Sequence, residues 1–132
     1  MRLEPNWRSA IKAKRVRPLA EQLGCDFLID CDVSTEAELD KAFGSLAARW
    51  PTIDFVVHAI GYTNKEALRG NYADVALEDF LLTMNISVYS FTAVAKRAAA
   101  MMPAYDAETG KGGGSMLTLS YYGAEKVVPH YN

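Results

Sequence analysis

The chain is short of the residues that staple small domains. Among 132 residues there are only two cysteines, Cys25 and Cys31. They stand six apart with no His or Cys cluster nearby, so they make no zinc pattern and imply no disulfide scaffold. Such sparse cysteine predicts a reducing cytoplasm. Positive charge is not in excess either. The net charge is −2, which argues against nucleic-acid binding. One basic run, Lys12, Lys14, Arg15 and Arg17, is short and followed by Glu21, and it reads as a solvated helix face. The N-terminus lacks the apolar stretch of a signal peptide. The most apolar long segment, 77–102, contains Glu78, Asp79, Lys96 and Arg97, which makes it a poor membrane span. No internal repeat or coiled-coil pattern is present. The first eleven residues, MRLEPNWRSAI, have no clear period and hold no strand followed by a Gly-rich turn. They are set apart as a leader, 1–11, from one domain over 12–132, which is long enough for a core.

What is present alternates between two periods. Val16, Leu19, Ala20 and Leu23 form one helical stripe from about Lys12, and Gly24 supplies the stop. CDFLIDC, 25–31, is a short apolar run that predicts a buried strand, with Cys31 buried at its end. Thr35 with Glu38 fits a capping box, ahead of Leu39, Ala42, Phe43, Leu46 and Trp50 at helical spacing. Pro51 ends that helix. A second strand is expected over 53–59, closed by Gly61, and a polar loop over 62–75. A long helix is expected from Leu77 to Met102, stopped by Pro103, with Met101 and Met102 in the core. The Gly-rich stretch 104–114 reads as a surface loop, and 115–120 as a third strand.

Strands alternating with helices imply a parallel α/β sheet. In such sheets the ligand crevice lies beyond the carboxyl ends of the strands. The polar clusters fall there: Asp32 after the first run, His58 to Tyr62 after the second, Ser120 to Tyr122 after the third.

Three segments carry a resemblance to a known family. They are CDVS (31–34), HAIGY (58–62) with MNISVYSFTAVAKR (84–97), and LTLSYYGAEKVVPHYN (117–132). In this order they closely resemble bacterial NADH-dependent enoyl-acyl-carrier-protein reductase, a divergent short-chain dehydrogenase/reductase, from about Lys14 to Asn132. The resemblance implies a Rossmann-like parallel sheet with flanking helices and NADH as cofactor. It also implies an enoyl-acyl-carrier-protein substrate, and an assembly that in the family is commonly a homotetramer. Asp32 and Val33 would border the adenine; Asp32 could instead begin the cap of the next helix. Ile60 would lie along the cofactor, with Gly61 allowing close backbone approach. Thr63 falls at a substrate-contacting position. His58 is read as structural, since the family gives it no proton-transfer role. Asn85 either helps shape the site or is a helix-surface residue.

The tyrosines Tyr121 and Tyr131 stand ten apart. Hydride delivery to the β-carbon of an enoyl thioester puts negative charge on the thioester oxygen, and a phenol donor there stabilises the enolate. The resemblance gives that role to Tyr131 and a place beside the nicotinamide to Tyr121. Tyr122 is assigned to packing and His130 to the surface.

Two features of the family are not found in these residues. One is an N-terminal strand with a Gly-rich turn that holds the pyrophosphate. The other is a lysine seven residues after the second tyrosine. The sequence therefore reads as an internal piece of the reductase, inactive alone. The alternatives are another short-chain dehydrogenase/reductase, or a non-catalytic Rossmann-like fragment or binding module.

Overall fold

The computed structural model describes the backbone of residues 6–129 and the side chains of 14–129. The chain divides into two compact units between Cys31 and Asp32.

The first unit is built on one helix, α1 (Asn6–Gln22). It starts six residues before the Lys12 that the apolar stripe predicts, because backbone hydrogen bonding does not need an apolar period to extend a helix. Gly24, at φ 67°, ends it as expected. The Cys25 N–H reaches back to the Ala20 carbonyl at 2.8 Å, and the left-handed glycine lets the chain turn to make that bond. Lys14, Arg15 and Arg17 are exposed, as a solvated face requires. Of the apolar stripe only Ala20 is buried; Val16, Leu19 and Leu23 are exposed. A stripe is buried only by an opposing surface, and one helix with a coil supplies none of its own.

The expected first strand is not formed. Residues 25–31 are coil, Leu28 is exposed, Cys25 is exposed and Cys31 only half-buried. The apolar run is a local property, whereas a strand exists only as a member of a ladder.

The second unit opens with a turn, Asp32–Ser34, and α2 (Glu36–Arg49). Thr35 caps α2 as predicted, its side chain accepting from the Glu38 N–H at 3.4 Å. Trp50 closes it, its N–H on the Leu46 carbonyl at 2.8 Å, and Pro51 follows. Leu39 and Ala42 are buried on α2, but Trp50 at the end of the stripe is exposed. Then come β1 (Phe55–His58), a loop holding two 3-10 turns, and a helix in three pieces. These are α3 (Leu77–Met84), a π-helical turn (Asn85–Tyr89) and α4 (Ser90–Ala99). The Leu77–Met102 helix is thus shorter than predicted. Met101 and Met102 lie in the turn beyond it and are half-buried, not core. The Gly-rich loop leads to β2 (Ser115–Thr118) and a 3-10 turn, Tyr122–Ala124.

Among the described residues the sheet has two strands, β1 and β2, paired in parallel from Phe55↔Ser115 to His58↔Thr118. Side chains of a strand alternate between faces. His58 and Val56 share the more buried face, while Phe55 and Val57 are 69% and 53% exposed. Leu117, beside Val57 in the ladder, and Leu119 are exposed as well. Parallel sheets are ordinarily covered on both faces, so this one shows an open apolar side.

Arg97 ties α4 to α2. Its guanidinium meets Glu36 Oε2 at 2.7 Å and Asp40 Oδ1 at 2.6 Å, with only 12% of the side chain exposed. The hydrogen bond from Arg97 holds the Glu36 carboxyl below its ordinary value of 4.5. Because the folded value is the lower one, this stabilisation is complete above the ordinary glutamate value. It is lost as pH falls through the folded value. Arg97→Gln is expected to lower Tm most near neutral pH. Melting curves of the two proteins should converge as the solution is acidified; a constant gap would count against the ion pair.

Candidate active site

Both strands run in the same direction, so their carboxyl ends open on one edge. β1 continues into Ala59–Thr63 and β2 into Leu119–Tyr121. A cavity of about 1000 Å³ lies beyond them. Ile60, Gly61, Thr63 and Tyr121, four of the residues singled out from the sequence, line it. Its apolar wall includes Leu68, Val75, Phe80, Met84, Val88 and Phe91. Asp32 and Val33 are not in that lining. Tyr131 and His130 lie outside the described residues.

Each part of the rim is held by specific bonds. At the end of β1, His58 is 2% exposed. The Ser90 hydroxyl donates to the Ile86 carbonyl at 2.6 Å, so it accepts from His58 Nε2–H at 2.7 Å. His58 Nδ1 then faces the Thr118 hydroxyl at 3.1 Å, on the neighbouring strand. Both ring nitrogens are engaged inside the protein, and the ring packs on Phe91 at 5.4 Å between centroids. His58 is thus packed at the strand end, where the sequence reading puts it.

Tyr62 and Thr63 are fastened to the helix. The Ser87 hydroxyl accepts from the Tyr62 N–H at 3.0 Å and donates to the Tyr62 carbonyl at 3.2 Å. The Tyr62 hydroxyl donates to Asn64 Oδ1 at 3.0 Å, and the Asn64 amide donates in turn to Asp79. The Thr63 and Thr83 hydroxyls are 2.7 Å apart. Thr63 thus stands half-buried in the wall rather than loose on a loop.

The Asp32 turn is built by the carboxylate. Asp32 Oδ1 accepts from the Ser34 N–H at 3.0 Å and from its hydroxyl at 2.7 Å. This is the turn-forming use of a short acid before a helix. Asn85 donates from Nδ2 to the Ser34 carbonyl at 3.1 Å, so its side chain links this turn to the π-helical turn. Asn85 is half-buried and does not line the cavity, so it is neither a free helix-surface residue nor part of the wall.

Tyr121 stands past β2, 53% exposed on the cavity rim. Tyr122 is 67% exposed, so it does not take the packing role expected of it. Gly123 is what lets Tyr121 lie as it does: a Cβ built there would overlap the tyrosine ring. Gly123→Ala is expected to displace the Tyr121 ring with little loss of stability, since a half-exposed ring can swing away. Unmoved Tyr121 ring resonances in that variant would contradict this packing.

A dinucleotide fits part of this geometry. Gly61 is exposed on the wall, and a Cβ there would meet only Ser87 Oγ at 3.9 Å. Nothing in the chain itself demands glycine at 61, and its bare backbone leaves room for a flat group against Ile60. Phosphate cradling is different. The glycines with positive φ are Gly24, Gly70, Gly110, Gly112 and Gly113, and none of them links a strand to a helix N-terminus. Among the described residues no group of His, Cys, Asp or Glu could hold a metal ion, and no helix is long and apolar enough to cross a membrane.

Parallel strands joined through helices, with a cavity beyond their carboxyl ends, define a partial Rossmann-like α/β protein. The family model described as Enoyl-(Acyl carrier protein) reductase matches residues 6–132, and the chain belongs to that family. It is 50% identical over 126 residues to enoyl-[acyl-carrier-protein] reductase [NADH] 1 of Rhizobium meliloti (strain 1021), covering 96% of this chain and 43% of that protein. It is 40% identical to enoyl-[acyl-carrier-protein] reductase [NADH] FabI of Rickettsia typhi, covering 96% of this chain and 45% of that one. The crystal structure of the Anaplasma phagocytophilum reductase in complex with NAD matches with TM-score 0.79 and 46% identity, over 98% of this chain and 45% of that chain. The chain thus spans less than half the length of these relatives.

Sequence reasoning missed Ser87, Thr83 and the loop residues Leu68, Tyr72 and Val75 as parts of the site. Ser87 was visible only as a small polar residue in an apolar helix, and its bond to Tyr62 joins residues 25 apart.

Proposed function

We propose that residues 12–132 form part of the dinucleotide-binding and catalytic domain of an NADH-dependent enoyl-acyl-carrier-protein reductase of fatty acid biosynthesis. The observation that carries this reading is the cavity beyond the two parallel strands. In a chain of the reductase family it is lined by Gly61, Thr63 and Tyr121. NADH, when bound, supplies the hydride that reduces the trans-2 double bond of the enoyl thioester. Ile60 and Gly61 form the wall against the cofactor, and Asp32 and Val33 border its adenine. Thr63 contacts substrate. Tyr121 lines the pocket beside the nicotinamide, and the Tyr131 hydroxyl donates to the thioester oxygen as charge gathers there. The protein works in the cytoplasm and, as a whole reductase, assembles as a homotetramer.

The direct test is a chimera. Residues 12–132 are joined to the flanking segments of the Rhizobium meliloti relative, and NADH oxidation is followed with a crotonyl thioester. Turnover is expected. A folded chimera that binds NADH but leaves the thioester untouched would favour a different short-chain dehydrogenase substrate. A second reading, a binding module without turnover, draws on the lack of a phosphate-cradling turn among the described residues; a folded chimera that neither binds nor oxidises NADH would support it.

A further inference from the structure

We infer that the π-helical turn Asn85–Tyr89, with Ser90 directly after it, is a positioning element. Through Ser87 and Ser90 it sets the loop after β1 and the loop after β2 at a fixed separation. A π turn inserts one residue into a helix and is frequent at functional sites. Here it offers two hydroxyls to two different targets. The Ser87 hydroxyl bonds both backbone polar groups of one residue, the Tyr62 N–H at 3.0 Å and the Tyr62 carbonyl at 3.2 Å. That fixes the backbone immediately after Gly61. Ser90, fully buried, anchors to the Ile86 carbonyl inside the turn and accepts from His58 at the end of β1. His58 passes the link to Thr118 at the end of β2. The last backbone bond of the sheet, from the Leu119 N–H to the His58 carbonyl at 3.1 Å, starts the second loop from the same point.

The result is a chain of bonds running from Tyr62 through the π turn to Thr118 and Leu119. Thr63 and Tyr121, on opposite loops, both line the cavity, so their spacing depends on this chain. Ser87, Ser90 and His58 are positioning residues, since each acts through a neighbour. The inference rests on the proposed reductase only for why the spacing matters; the bonds are independent of it.

Amide hydrogen exchange, read residue by residue by NMR on the 132-residue chain, tests this. Ser87→Ala is expected to speed exchange at Tyr62 about tenfold while Leu39 in α2 stays unchanged. Ser87→Thr keeps the hydroxyl and should remain within about twofold of the parent. Ser90→Ala should speed exchange at Leu119 by a similar factor; if that variant does not fold, the Ser87 pair decides alone. Equal exchange at Tyr62 in parent and Ser87→Ala would overturn the inference, and so would a uniform rise that includes Leu39. Addition of millimolar NAD separates the two readings. In the chimera of the preceding section, unmoved Gly61 and Tyr62 amides on NAD addition would count against the dinucleotide site, while the exchange rates of the 132-residue chain still decide the positioning role.

Discussion

A polypeptide of these 132 residues is expected to give no measurable heat on titration with micromolar NADH and no oxidation of NADH with a crotonyl thioester. Pyrophosphate contacts are the strongest fixed interaction of a dinucleotide site, because several backbone N–H groups at a helix N-terminus converge on two charged groups. No strand–glycine–helix turn of that kind occurs among the described residues. What the cavity offers instead is an apolar wall with a few hydroxyls. Such a wall can orient a nicotinamide ring but gives little grip on a molecule that also carries two phosphates and an adenosine. Stoichiometric micromolar binding would show that another part of this chain holds the phosphates.

In the chimera that carries activity, Tyr131→Phe is expected to lower kcat by about a hundredfold while NADH affinity changes little. The substitution removes one oxygen and leaves the ring. A hydroxyl that meets the thioester oxygen only as charge develops stabilises the transition state and not the bound cofactor. Stopped-flow reduction of a crotonyl thioester, with NADH binding measured separately, distinguishes the two quantities. Unchanged kcat would take the enolate donor away from Tyr131. A matched loss of NADH affinity would make it a cofactor-binding residue instead. Tyr122→Phe in the same chimera is the control, because Tyr122 is exposed and does not line the cavity.

Legibility in the sequence follows the range of the interactions. Thr35 caps α2 and Pro51 follows its end, and both signals act within one turn, so this helix was readable almost to the residue. Gly24 at the end of α1 was readable for the same reason. Both strands of the ladder were found a little too long, at 53–59 and 115–120 against Phe55–His58 and Ser115–Thr118. Strand ends depend on where the partner stops, which no local window contains. The run 25–31 failed on that ground entirely. The π turn was invisible because Asn85–Tyr89 continues the helical stripe, and a widened turn shows only in the backbone hydrogen bonding. Of the residues that line the cavity, Ile60, Gly61, Thr63 and Tyr121 were singled out through the resemblance and the rule that ligands sit past the strand ends. Ser87 was not, because its role is defined by Tyr62.

The parallel ladder has a consequence for how the second unit assembles. Phe55 pairs with Ser115, sixty positions later in the chain. Closing a loop of that length costs on the order of 4 kcal/mol of chain entropy, about what four ladder pairs return. Strand pairing therefore cannot nucleate folding by itself. The helical stretch from Leu77 to Ala99 can form locally and shortens the effective loop, so β1 is expected to dock on it through His58 and Ser90 before β2 arrives. Substitutions in α4 should then slow refolding, whereas substitutions in β2 should mainly speed unfolding.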